Sequence, residues 1–289
     1  MTTLRSIALS LSLFSRIPLP RQDFARAYGP AVLAALPLVG VMNGFVLWGW
    51  LLLAGAAGFG TILTAAGLTL LPVALTGGIH LDGFADTVDA LASRAPKERK
   101  VEILADPNIG AFAGIALAAY LLLYFALGCE YVEWVRVAGV RPFAAAWMLG
   151  AVSVMSRAWA ATLSLSGRHV QNGDILATLV GDYKGGGSLY RRGKAPEVVS
   201  VVCFLVGLAG IELACVLFGL QTENTSLPFV GTFGAAAVAG CAVYTFWMSL
   251  REFGGMTGDI AGYAIQIAEI WALGAIVCVG ATIGGGTFL

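Results

Sequence analysis

Apolar runs of helical length, separated by short polar connections, dominate the chain. Seven stand out, at about residues 30–54, 61–77, 109–128, 142–165, 198–220, 229–250 and 265–282. Most approach or exceed the roughly 20 apolar residues that a helix needs to cross a bilayer. In hydrocarbon each backbone polar group must be satisfied within its own segment, so such runs are read as helices. Ahead of them, residues 7–14 form a shorter, Ser-diluted apolar stretch followed by Ser15-Arg16-Ile17-Pro18-Leu19-Pro20 rather than by a small-residue cleavage site. An interfacial or re-entrant helix is expected there, not a removed signal peptide. No tandem repeat is visible. The predicted fold class is all-α: a polytopic integral membrane helical bundle of about seven transmembrane helices plus an N-terminal interfacial helix, with residues 1–289 as one domain.

Composition agrees with that pattern. Only 12% of residues are Asp, Glu, Lys or Arg, against about 25% in soluble domains, and mean hydropathy is +0.83. The lipid bilayer is therefore the expected surrounding. The net charge of zero leaves no basic field to collect nucleic acid. The five cysteines sit in or at the ends of apolar runs, without a CxxC or a nearby His, so buried thiols are expected rather than zinc ligands or disulfides.

Charge sets an orientation, because short cytoplasmic loops are enriched in Lys and Arg. With the N-terminal segment inside, fourteen cations fall inside: Arg5, Arg16, Arg21, Arg26, Arg94, Lys97, Arg99, Lys100, Arg168, Lys184, Arg191, Arg192, Lys194 and Arg251. Only Arg136 and Arg141 fall outside, and Arg157 lies within a span. The long polar connections 78–108 and 166–197 are both on the inner side, which makes that side the expected location of chemistry.

The chain has eight aspartates, and five of them fall in three short patches. Asp82, Asp86 and Asp89 are spaced i, i+4 and i+7, so on a helix they share one face. Like charges stacked in this way repel, and a divalent cation relieves the repulsion. Hard Mg²⁺ prefers carboxylate oxygens and is often completed by substrate phosphates, so the pattern points to metal-assisted chemistry on a phosphate or pyrophosphate. A plain solvated acidic face is the bland alternative. Asp106, ahead of the third span, reads equally as a helix N-cap or a ligand. The turn Gly254-Gly255-Met256-Thr257-Gly258-Asp259 permits close backbone approach to a phosphate, with Asp259 completing a metal site, or else is a simple hairpin. Arg157 and Glu269, charges within spans, are functional candidates by default; Arg157 is expected to meet an anion or to snorkel, and a pairing between the two is open. His80, beside the acidic face, either serves as an acid, base or ligand-orienting group or is an ordinary interfacial histidine.

These residues resemble the cobalamin synthase family, the adenosylcobinamide-GDP ribazoletransferases. Residues 77–91 are similar to its GGxHxDGxxDTxD signature, and Phe14-Ser15-Arg16-Ile17-Pro18 to its F-[ST]-R-[IL]-P segment. Pro37-Leu38-Val39-Gly40 resembles P-L-[IV]-G, Asp106 with Ile109-Gly110 resembles R-D-S-x-I-G, and residues 254–259 resemble G-G-x-T-G-D. Ala105, Pro107, Ala261 and Gln266 depart from the usual Arg, Ser, Leu and Glu, which bears on nucleotide contacts and substrate preference. The resemblance implies that the 3′-hydroxyl of α-ribazole, or of its 5′-phosphate, attacks the cobinamide phosphate of adenosylcobinamide-GDP and expels GMP, with Mg²⁺ as cofactor. Asp82, Asp86, Asp89 and Asp259 are then the expected metal ligands and, with His80, the catalytic set. Arg16, Asp106, Asn108, Arg157, Thr257 and Glu269 are the expected substrate contacts. The expected location is a prokaryotic cell inner membrane with the site facing the cytoplasm, and a homo-oligomer is compatible with all of this. Two competing classes are a membrane transferase for pyrophosphate-activated lipids, whose CDP-alcohol motif orders its residues differently, and an ion-coupled transporter, which places acids near mid-span and often carries inverted repeats.

Overall fold

The structure, a computed structural model, describes residues 2–19, 29–166, 198–199, 201–210 and 227–283, together with Val170 and Leu179. All described elements of any length are helices. They are α1 (Thr2–Phe14), α2 (Gly29–Ala34), α3 (Pro37–Ala56), α4 (Thr61–Thr76), α5 (Ile79–Ala92), α6 (Lys97–Leu104), α7 (Ala111–Val137), α8 (Pro142–Ser166), α9 (Val201–Gly210), α10 (Leu227–Met248) and α11 (Gly258–Ile283). A π-helical turn, Ser249–Phe253, ends α10.

Among the described residues five helices are long and apolar enough to cross a membrane: Gly29–Ala56, Ala111–Val137, Pro142–Leu165, Val230–Phe253 and Gly258–Thr282. The run at 198–220 is helical in its described part, and residues 211–226 lie outside the described residues. The last span begins at Gly258 rather than at 265, so residues 254–257 form the link from α10 and Asp259 already lies within the following helix. The connection 78–108, expected as a long loop, is built largely from α5 and α6.

Glycine makes the sharpest turn in the bundle. Gly77 and Gly78 both adopt left-handed backbone angles, φ +68° and +82°, which side chains resist and glycine does not. They end α4 and bend the chain by 93° into α5, so we read α5 as lying across the end of the bundle, outside the spans. Arg16 covers the turn: its N–H donates to the Leu75 carbonyl at 2.7 Å, and its side chain lies against Gly77.

Small residues set how closely the spans approach. Gly40 and Gly44, four apart on α3, face α8. A methyl group on Gly40 would lie 2.6 Å from the Ser153 carbonyl oxygen, and one on Gly44 would lie 3.2 Å from the Gly150 Cα. In lipid there is no hydrophobic drive between helices, so such small-residue seams, by allowing dense van der Waals contact, hold spans together. Elsewhere Trp50 fills the space beside Gly67 and donates its indole N–H to the Thr64 carbonyl at 2.8 Å, while Trp134 fills that beside Gly280. Lipid-facing positions such as Phe112, Ile115 and Leu122 on α7 leave large apolar side chains exposed, as a bilayer requires.

Gly40→Ala is expected to destabilise the protein by about 1–3 kcal/mol, because the methyl group meets backbone that cannot yield. Gly49→Ala on the same helix meets nothing within 4 Å and should be neutral or slightly stabilising. Thermal unfolding of both variants in detergent checks the contrast.

Candidate functional site

The polar end of the bundle is organised by a close crossing of α5 and α11. A methyl group on Gly83 would lie 2.8 Å from both the Cα and the carbonyl oxygen of Asp259, and one on Gly262 would lie 3.0 Å from the His80 carbonyl oxygen. Two glycines, one on each helix, therefore let the backbones touch. Their neighbours Asp82, His80 and Asp259 are brought to one place by that contact.

Thr257 fixes where α11 begins. Its buried hydroxyl accepts the Ile260 N–H at 3.2 Å, and its carbonyl accepts the Ala261 N–H at 3.1 Å. This is an N-cap, which satisfies a free N–H of the first turn. Thr257 thus does its visible work inside the protein, and Asp259 sits in the first helical turn.

The crossing opens on a cavity of about 470 Å³. Asp82, His80, Ser164, Gly258 and Asp259 form its polar part. Leu13 and Phe14 of α1, Leu33 and Leu36 around α2, Leu104 of α6, Leu179 and Ile265 of α11 form an apolar wall. Phe14 stacks on the imidazole of His80, ring centroids 6.3 Å apart and 20° from parallel. His80 is buried, and burial with the charge of Arg157 holds its pKa well below the usual value, so the ring is neutral. Its Nε2 is buried without a hydrogen-bond partner among the described residues.

Asp86 and Asp89 follow Asp82 along α5, as their spacing predicts. Asp86 is half-buried, and burial together with the charges of Asp82 and Asp89 pushes its pKa up to about 6. The repulsion expected from the sequence is present. Asp89 reaches toward the start of α7: a methyl group on Gly110 would lie 2.1 Å from both of its carboxylate oxygens. Among the described residues, no three His, Cys, Asp or Glu side chains are gathered closely enough to cage a metal by themselves.

Three further candidates lie elsewhere. Asp106 is exposed and closes its own turn, accepting the Asn108 N–H at 2.9 Å and the Asn108 side-chain amide at 2.7 Å. Those bonds hold its pKa below the usual carboxylate value. It neither caps α7, whose N-cap is Gly110, nor lines the cavity. Arg157 and Glu269 pair with each other in the bundle interior at 2.5 Å, only 1% and 6% exposed. Arg157 also donates to the Ser153 carbonyl and hydroxyl. Glu269 accepts from the hydroxyls of Ser153 and Ser156, and Asn43 donates to the Ser153 hydroxyl at 3.0 Å. The network joins α3, α8 and α11. The pairing left open in the sequence is thus made, and neither side chain lines the cavity.

A profile of the cobalamin-5-phosphate synthases matches residues 6–277. The chain belongs to that family. An adenosylcobinamide-GDP ribazoletransferase from Lachnoclostridium phytofermentans is 29% identical over 286 residues, 99% of this chain and 98% of the relative. One from Pseudomonas syringae pv. syringae is 33% identical over 242 residues, 82% of this chain and 84% of the relative. One from Escherichia coli is 30% identical over 268 residues, 90% of this chain and 94% of the relative. No solved structure matches the chain.

In this cobalamin-5-phosphate synthase family member, the sequence marked the acids but missed what places them. Gly83 and Gly262 let the two helices touch through their lack of a side chain; Gly83 is part of the quoted signature, but a motif position does not say which backbone it will meet, and Gly262 stands in no quoted motif. The apolar wall was missed because Leu13, Leu33 and Ile265 read as ordinary core.

Removing one partner of the interior pair leaves a buried charge unmatched, so Arg157→Met or Glu269→Leu alone is expected to cost about 3–5 kcal/mol. The double variant should cost clearly less than the sum of the two. A double-mutant cycle on thermal or chaotrope unfolding measures the coupling; additive losses would show that the two groups do not interact.

Proposed function

We propose that the chain joins α-ribazole, or its 5′-phosphate, to adenosylcobinamide-GDP with release of GMP, in the cavity between α5 and α11. The observation that carries the reading is the meeting of Asp82 and Asp259, from two separate family motifs, in one cavity. The relatives named adenosylcobinamide-GDP ribazoletransferase, matched over 84% to 98% of their own length, support it. They do not favour a lipid transferase or a transporter. The cation asymmetry supports a cytoplasmic site in a prokaryotic inner membrane, since every element lining the cavity ends on the cation-rich side.

The donor set fits magnesium. Asp82 and Asp259 line the cavity and Asp86 carries charge repulsion that a cation would relieve. Mg²⁺ is commonly held by one or two carboxylates plus substrate phosphates, so the absence of a closed cage among the described residues suits it. Asp82 and Asp259 would hold the ion, with Asp86 and Asp89 behind them. When bound, it would neutralise charge on the departing phosphate.

The chain's own residues position the reaction. The ribose 3′-oxygen forms a bond to the cobinamide phosphorus as the bond from that phosphorus to the GMP oxygen breaks. The hydroxyl proton passes to a carboxylate at the polar end of the cavity, and the electron pair leaves with GMP. His80, neutral and stacked on Phe14, shapes the cavity wall. Phosphoryl transfer of this kind depends chiefly on placement and electrostatics, so the α5–α11 contact matters more than a protein nucleophile.

Purified protein should release one GMP per cobamide formed, lose activity in EDTA and regain it with Mg²⁺. Asp259→Asn should lower kcat at least about tenfold while changing KM little. Release of GDP would mean that another bond breaks and would contradict the assignment.

Gly83→Ala tests placement without touching a carboxylate. The added methyl group meets the Asp259 backbone, and a displacement of about 1 Å costs on the order of 100-fold in rate. A folded Gly83→Ala protein with full kcat would show that the crossing does not set the geometry.

A further inference from the structure

A hydroxyl inside a helix ordinarily returns its hydrogen to the carbonyl three or four residues back. On α8, Ser156 donates to the Ser153 carbonyl at 3.1 Å and Thr162 to the Ala158 carbonyl at 2.8 Å. Ser164, near the end of the same helix, makes no such bond. It is only 2% exposed, and its hydroxyl has no hydrogen-bond partner among the described residues.

The position makes that unusual. Arg157, Ala160, Ala161 and Ser164 stand at i, i+3, i+4 and i+7, so they share one face of α8. Ala160 and Ala161 are wholly buried and pack with Leu36, Val39 and Ile265. An alanine at 164 would continue that packing, whereas a buried hydroxyl costs stability unless it is paired. Ser164 lines the cavity that Asp82 and Asp259 share, so a partner can reach its hydroxyl from that space.

The other polar groups there say what the partner is. Asp82 and Asp259, as carboxylates, only accept hydrogen bonds. His80 has its Nε2 buried and its ring stacked on Phe14. Ser164 carries the one hydroxyl among the described residues that line the cavity. Resting on the transferase reading, a phosphate enters here with anionic oxygens close to two carboxylates. A divalent cation offsets part of that repulsion, and a hydrogen-bond donor on a third helix offsets more. The reacting ribose hydroxyl has the opposite need, an acceptor, which the carboxylates already supply.

We propose that the Ser164 hydroxyl donates a hydrogen bond to a non-bridging oxygen of the cobinamide-side phosphate of adenosylcobinamide-GDP, which adds α8 to the elements that hold the reacting centre. Ser164 keeps its proton and forms no covalent bond. Because the donor is fixed in a packed helix before substrate arrives, it needs no rearrangement as the phosphorus–oxygen bonds exchange, and its effect falls on kcat.

Purified full-length Ser164→Ala tests this by kinetics and unfolding together. Its kcat for GMP release should fall at least about tenfold, with KM for adenosylcobinamide-GDP little changed. Its unfolding temperature in detergent should be unchanged or higher, since no hydrogen bond within the protein is lost. A second substrate, with sulfur in place of a non-bridging oxygen of the cobinamide-side phosphate, identifies the atom. Sulfur accepts hydrogen bonds poorly, so for one of the two diastereomers the wild-type protein should lose rate that Ser164→Ala does not lose again. Wild-type kcat in Ser164→Ala, a fall in its unfolding temperature, or independent losses with both diastereomers would overturn the Ser164 assignment while leaving the transferase reading intact. No GMP release by the wild-type protein would overturn the transferase reading and this assignment together.

Discussion

The polar end of this bundle depends on how closely one short helix, turned 93° from the helix before it, can approach a spanning one. Gly83 and Gly262 allow α5 and α11 to touch backbone to backbone, and any side chain at Gly83 would strike the Asp259 main chain. That contact decides where the two signature acids stand relative to each other. The paired left-handed glycines Gly77 and Gly78 are its precondition, since only a turn of that sharpness lays α5 across the end of the bundle. The Thr257 cap is the other, because it starts α11 where Asp259 falls in the first turn.

Below the cavity, the interior is held by a different kind of constraint. Small-residue seams bring α3 against α8, and the Arg157–Glu269 pair with Ser153, Ser156 and Asn43 ties both to α11. Each charge is paired because almost no water reaches it there, and an unmatched buried charge is costly. The network therefore ties the three spans together. At the same end of the bundle, Lys100 meets Glu252 at 2.6 Å and so fastens α6 to the turn that precedes the glycine-rich motif.

Much of this was legible in the sequence, and the reasons for the rest are physical. Hydropathy located the spans because burial in lipid demands long uncharged runs, and the i, i+4, i+7 spacing placed Asp82, Asp86 and Asp89 on one helix. Thr257 was read as a substrate contact, since a Thr-Gly-Asp turn carries the same residues whether it caps a helix or cradles a phosphate. Arg157 and Glu269 are 112 residues apart, and nothing local says which helices will place them together. Asp106 offered two uses in sequence and takes a third, a turn closed on Asn108. The apolar wall of the cavity could not be seen at all, because a leucine that lines a cavity and a leucine that fills a core have the same sequence signature.

The central claim is that Asp82 and Asp259 stand in one substrate-filled cavity across the α5–α11 contact. Thiol labelling tests it most directly, in full-length protein whose five native cysteines are replaced and which carries Asp82→Cys or Asp259→Cys. The account predicts that saturating adenosylcobinamide-GDP together with α-ribazole slows labelling at both positions, while a cysteine at the exposed Arg141 position is unaffected. Protection at one position and unchanged labelling at the other would contradict it.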